Sequence, residues 1–132
     1  MIPNIELPFP PSANTYYRSI RMGQSCRVIM SKKGREFKQE VCLLLADALE
    51  SPEFADFEFP LKQRLAVTVF LHAPNRRKYD IDNRAKALLD SLEDALLFED
   101  DEQIDSLCLR RGEIIKGGKS IVHIIPLADK SD

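Results

Sequence analysis

The 132-residue sequence has no run of about 18 apolar residues, which excludes a membrane-spanning helix. Its opening, "MIPNIELPFPPS", lacks the basic start and apolar stretch of a secretory leader, so none is expected. Cysteine is scarce: Cys26, Cys42 and Cys108 are widely spaced, with no C-x-x-C and no neighbouring His or Cys at ligand spacing. That speaks against a disulfide framework or a thiolate metal centre. It points instead to a reduced, cytoplasmic protein whose thiols pack as small apolar groups. Internal repeats and linkers are also missing, so one domain over 1–132 is expected, with a frayed tail at 128–132. An excess of positive charge is lacking too. The formal net charge is -2, which alone argues against nucleic acid as a partner.

The distribution of charge argues the other way. Residues 1–40 carry seven bases against three acids, and residues 41–60 carry five acids and no base. Residues 61–86 hold seven bases and only two acids, Asp80 and Asp82, whereas residues 87–105 hold eight acids and no base. Residues 106–119 are basic again. Such blocks can build separate positive and negative surfaces, although each block alone reads as a solvated face. With 44% hydrophobic and 30% charged residues, a chain of this length can bury a proper core.

"NIELPFPP" reads as a short strand stopped by prolines, and "SANTYYRSIRMGQ", with little periodicity, as a loop. "CRVIM" is strand-like. Ser31 can cap a helix whose apolar positions are Phe37, Val41, Leu44, Leu45 and Ala48, although Gly34 weakens its first turn. "SPEFADFEFP" is a loop bounded by Pro52 and Pro60. "RLAVTVFLHAP" alternates most clearly and is the strongest strand. A second helix is expected from about Asp82 to Leu97, with an apolar stripe of Ala85, Leu88, Leu89, Leu92, Ala95 and Leu96 and Asp82 as its cap. "IDSLCLRRGEII" and "KSIVHIIPL" read as two strands joined as a hairpin around "KGGK". The order β-β-α-β-α-β-β predicts an α+β domain, with two main helices on one face of a mixed or antiparallel sheet.

The densest chemistry lies in "RRKYDIDNRAK", where two carboxylates sit inside the most basic stretch. Residues i and i+2 of an extended segment point the same way, so Asp80 and Asp82 can converge. Lys86 follows one helical turn beyond Asp82 on the same side. A second acidic group, Glu99, Asp100, Asp101 and Glu102, follows the helix. It can join the first only if the next strand lies beside the central one. Two or three carboxylates suit Mg²⁺, which activates water and neutralises phosphoryl oxygens. Arg76, Arg77, Lys78 and Arg84 would then hold neighbouring phosphates. Asp-x-Asp at a helix start reads equally as a cap with a solvated neighbour. A calcium loop is ruled out, because Arg84 and Ala85 stand where an oxygen ligand and a glycine are needed.

Taken together, "LPFPPSANTYYR", "YDIDNRAKALLDSL", "FEDDEQI" and "KGG" resemble, in order and spacing, the RusA-type crossover-junction endodeoxyribonucleases, the Holliday-junction resolvases of bacteria and their prophages. The resemblance covers nearly the whole chain. It implies that Asp80, Asp82 and Asp101 are essential metal-binding carboxylates, with Asp100 beside them, and that Lys86 is catalytic. It implies DNA contact or loop ordering for Asn14, Tyr16, Tyr17 and Arg18. Asp90 and Asn83 take structural places near the site, Asp90 by bonding across the helix edge or by orienting Lys86. It further implies a homodimer that cuts four-way DNA junctions by paired symmetric nicks, with Mg²⁺ or Mn²⁺. Two other readings stand beside it: a non-catalytic DNA- or RNA-binding module, and a nuclease for flaps or forks. His72 and His123 are read as packing residues.

Overall fold

The computed structural model describes residues 2–128, so 129–132 of the expected tail lie outside the described residues. Nine elements are labelled in chain order: β1 (Ile5–Leu7), α1 (Ala13–Tyr16), β2 (Tyr17–Met22), β3 (Ser25–Met30), α2 (Lys32–Leu49), β4 (Leu65–His72), α3 (Ile81–Asp94), β5 (Ile104–Arg111) and β6 (Lys119–Pro126). The alternation seen in the sequence makes β4 the centre of the fold. Leu65, Val67, Val69 and Leu71 are buried, and the residues between them are half-buried. The sheet order is β1-β6-β4-β5, with β6 antiparallel to β4 and to β1 and with β5 parallel to β4. Val122 and Ile124 of β6 lie opposite Val69 and Val67 and complete the buried face.

Helices α2 and α3 pack against each other over that face, which gives the expected α+β domain with a mixed sheet. In α2, Phe37, Val41 and Leu45 are buried, while Leu44 is exposed. Ser31 caps this helix by accepting from Gly34 N at 3.0 Å. Gly34 has a reason for its place, since a Cβ there would run into the Tyr16 carbonyl. The acidic, Phe-rich loop before β4 buries Phe54 and packs Phe57 and Phe59 onto the core, so its aromatics serve packing.

Three expectations are corrected. "SANTYYRSIRMGQ" is not a loop: it forms α1 and β2, and β2 pairs antiparallel with β3 from Tyr17↔Met30 to Met22↔Ser25. Gly23, at φ 61°, supplies the turn that joins them. No periodicity marked β2 because beyond Tyr17 neither of its faces enters the core. Strands β5 and β6 are not hairpin partners. Gly117 and Gly118 do take positive φ. The connection nevertheless runs past the end of β4, with Gly112 N donating to Leu71 O (2.8 Å) and Ile115 N to Ala73 O (3.0 Å). It delivers β6 to the opposite side of β4. Finally, α3 starts at Ile81, so Asp80 takes the N-cap position and Asp82 lies in the first turn. The helix stops at Asp94 because Leu96 turns to φ 65°, which exposes Leu96 and buries Leu97.

Candidate active site

The approach to the first acidic pair is clamped from two sides. Tyr79, just before Asp80, packs edge-on against Phe9 at 5.2 Å. The Arg111 guanidinium lies over the Tyr79 ring at 4.1 Å and donates to its carbonyl at 3.1 Å. On the other side of the motif, Asn83 Oδ1 accepts from Ala13 N at 3.2 Å, and Arg84 donates to Pro10 O at 2.9 Å while lying over Phe9. Asn83 and Arg84 therefore bind the start of α3 to the N-terminal segment. Arg84 is half-buried, and this burial lowers the pKa of its guanidinium. Arg76, Arg77 and Lys78 stand exposed on the β4–α3 loop, as do Asp80 and Asp82 beyond it. Among the described residues, neither of these two carboxylates has a hydrogen-bonding or ion-pair partner.

The parallel pairing of β5 with β4 brings the second acidic group beside the first. Asp82, Lys86, Asp90 and Asp101 line one cavity of about 190 Å³, floored by Ala85, Leu89, Leu107 and Leu109. Asp80 is not among its lining residues; it stands at the helix N-terminus next to it. Asp100 and Asp101 belong to a short 3₁₀ turn, Asp101–Gln103, whose N-cap is Asp100. The Asp100 carboxylate accepts from Glu102 N at 2.9 Å. Gln103 is buried and uses its whole amide. Its Oε1 accepts from Glu99 N (2.9 Å) and Asp100 N (2.8 Å), and its Nε2 donates to Leu61 O and Gln63 O, both at 2.9 Å. Glu93, from the last turn of α3, accepts from Asp101 N at 2.8 Å. Carboxylate oxygens of Glu93, Asp100 and Asp101 lie within 4.8 Å of one another.

Asp101 is raised above the usual carboxylate range, first by partial burial and then by the Asp100 and Asp90 carboxylates, with Lys86 opposing. Lys86 Nζ lies 3.7 Å from Asp90, and Asp90 also accepts a 2.7 Å hydrogen bond from the Tyr17 hydroxyl. Burial and then this bond to Asp90 raise the pKa of the Tyr17 phenol. Asp90 thus couples the root of β2 to Lys86. Asn14 and Arg18 are exposed nearby. Tyr16, read from the resemblance as a DNA-contact or loop-ordering residue, is fully buried: its hydroxyl accepts from Ser91 at 3.2 Å and its ring meets Tyr17 edge-on. As folded, Tyr16 offers no surface to DNA. His72 bonds through Nδ1 to the Glu113 carbonyl at 2.8 Å and packs over Gly112, and His123 bonds to Asn4.

The donor set around the cavity is oxygen-only and carboxylate-rich, which fits a hard divalent cation. Glu93, Gln103 and Arg111 carried no assignment in the sequence. The Asp-x-x-Gln capping box of residues 100–103 was the available signal for Gln103.

Comparison with known proteins places relatives beside this geometry. The family described as Endodeoxyribonuclease RusA matches residues 8–124. The "Crossover junction endodeoxyribonuclease rusA" of Enterobacteria phage HK97 is 36% identical over 121 residues, covering 92% of each chain. The protein named "Crossover junction endodeoxyribonuclease RusA" in Escherichia coli O139:H28 (strain E24377A / ETEC) is 30% identical over 127 residues, covering 96% of this chain and 97% of that one. The protein of the same name in Escherichia coli (strain K12) matches at the same identity and coverage. Among solved structures, the OmpA-like domain of FopA1 from Francisella tularensis subsp. tularensis SCHU S4 aligns over 96% of this chain and 93% of that chain. Its 15% identity and TM-score of 0.32 carry no argument about the fold.

Proposed function

This chain belongs to the RusA family of crossover-junction endodeoxyribonucleases, and on that premise we propose that it resolves four-way DNA junctions by paired, symmetric nicks. It is a phosphodiester hydrolase of a metal-dependent family. The observation that carries the reading is one cavity. Two acidic motifs, separated in sequence by most of α3, meet there beside a lysine.

The residues proposed to hold the cation are Asp80, Asp82 and Asp101, with Asp100 beside them; Mg²⁺ is the expected ion and Mn²⁺ a substitute. Bound there, a divalent ion acidifies water and neutralises charge on phosphoryl oxygens. The remaining tasks fall to the chain itself. Lys86 turns from Asp90 toward the scissile phosphate and stabilises the charge that develops on it. Asp90 holds that ammonium near the cavity. Arg76, Arg77 and Lys78, with Arg18 and Asn14 across the site, hold flanking phosphates without reading bases. A homodimer would present two such cavities to opposed strands, matching the symmetry of a four-way junction. The organisms of the relatives, a phage and Escherichia coli, support work in the bacterial cytoplasm. Among the described residues no helix is long and apolar enough to cross a membrane.

The test is a synthetic four-way junction incubated with and without Mg²⁺, beside flap and fork substrates. Paired nicks on opposed strands, dependent on the ion, are expected. Cutting of flaps or forks in preference to the junction would overturn the substrate assignment.

A further inference from the structure

We propose that the β2–β3 hairpin is a DNA-gripping arm that holds the duplex beside the cut site through its phosphates. The inference rests on the proposed junction-cutting function and adds Arg21, Arg27, Lys32, Lys33 and Arg35 to it. Residues 17–35 contain six bases and no acid, in a chain whose net charge is negative. All six bases are exposed. Among the described residues, ion pairs join Lys38 to Asp94, Arg64 to Glu102 and Asp105, Lys86 to Asp90, and Lys119 to Glu6. None involves a base of the arm. Its charge is therefore unspent among the described residues.

The arm's construction is that of a binding element. Each strand has six residues, so the ribbon extends roughly 20 Å. It has no covering layer: Val28 is 65% exposed and Met22 53%. A two-stranded ribbon alone is marginal. Here the root is pinned, because Ser31 N donates to Tyr16 O at 2.9 Å and Tyr16 lies in the core. The register puts Arg18 and Arg27 on one face and Arg21 on the other, so positive potential surrounds the ribbon. A second observation points the same way. Lys32, Lys33 and Arg35 crowd the first turn of α2, which has no acid, although the helix dipole disfavours cations there. A local rule broken on a surface marks a requirement other than folding.

Position completes the argument. Tyr17 begins β2 and bonds at 2.7 Å to Asp90, which lines the catalytic cavity. The arm thus rises from the rim of the cavity, and Arg76, Arg77 and Lys78 form a separate basic element on the loop that leads into it. DNA lying over Asp82 and Asp101, where carboxylates repel it, would be held by both elements.

The test compares wild type with an Arg21→Gln/Arg27→Gln variant and an Arg21→Lys/Arg27→Lys variant. The lysine pair is needed because Arg21 also donates to Gly23 O in the turn. Each protein is titrated onto a synthetic four-way junction in chelator across a salt series. The slope of log affinity against log salt should be shallower by about 2 for each arm engaged, about 4 for a homodimer, in the glutamine variant and unchanged in the lysine variant. Equal slopes for wild type and the glutamine variant would overturn the arm. A glutamine variant that changes oligomeric state before DNA is added, with its slope intact, assigns the ribbon to protein contacts and overturns the arm as well. Wild type that binds no junction removes the proposed function itself, a failure visible without any substitution.

Discussion

The acids at the two ends of α3 are the same kind of side chain in opposite settings. Asp80 and Asp82 stand exposed with carboxylates that the fold leaves unbonded. Asp100 and Asp101 sit in a turn wired from four directions by Gln103, Glu93 and the capping carboxylate of Asp100 itself. One end leaves its oxygens free for a ligand. The other fixes the backbone first, so that Asp101 faces the cavity before any ligand arrives. A site that must both accept DNA and position a cation needs both kinds of end: free oxygens to bind, and a rigid reference to bind against.

The contrast can be broken most forcefully at the carboxylates. Asp82→Asn and Asp101→Asn should each lower Mg²⁺-dependent nicking by orders of magnitude while junction binding in chelator persists. Near-wild-type nicking by either variant would remove that residue from the site. Gln103→Ala separates the two ends by stability. It leaves one buried and three part-buried backbone groups without partners and should cost about 2 kcal/mol in urea unfolding. Asp82→Asn, at the end whose carboxylates have no partner among the described residues, should stay within about 0.5 kcal/mol. Equal costs would mean that the second turn is not pre-built. Tyr17→Phe removes the donor that holds Asp90, and cutting at saturating junction should fall roughly tenfold with little change in melting. Arg or Lys at position 17 should not restore it.

The smallest effect concerns pH. Asp101 is raised above its ordinary value of 3.8, so the folded protein favours its protonated form. That contribution is fully present below the ordinary value and is lost as pH rises through the raised one. At neutral pH, without metal, the charged Asp101 is therefore a small burden. Asp101→Asn should melt slightly above wild type at pH 7 in chelator, and the gap should close as pH falls toward 3. A gap that widens on acidification would reverse the sign.

What could be read from the sequence depended on whether a residue's neighbours were local. The alternation of β4 and the stripe of α3 are written in single segments; β4 appears where expected, and α3 does apart from its last turn, where Ala95 and Leu96 of the expected stripe fall beyond the helix. Asp82 and Lys86 share one short segment and line one cavity, as their spacing suggested, whereas Asp80 of the same segment stands beside it. Strand β2 was not legible, because beyond Tyr17 it buries neither face and so carries no period. The partner of β5 was not either: "KGG" signals a turn, but nothing in it says that β4 lies between the strands it joins. The meeting of Asp101 with Asp82 depends on that pairing, so residue types alone left it open. Glu93 and Arg111 act on backbone groups of residues that only the fold brings near.

The parallel pairing of β4 with β5 also sets a timetable. Leu65 to Arg111 must all be present, and the crossover through α3 closed, before Asp82 and Asp101 share a cavity. Such non-local contacts are among the slower ones for a chain to make. A chain emerging from the ribosome carries every acidic residue of the site well before it carries the site. The cavity therefore exists only once β5 has paired with β4, after Asp82, Lys86 and Asp101 are all in the chain.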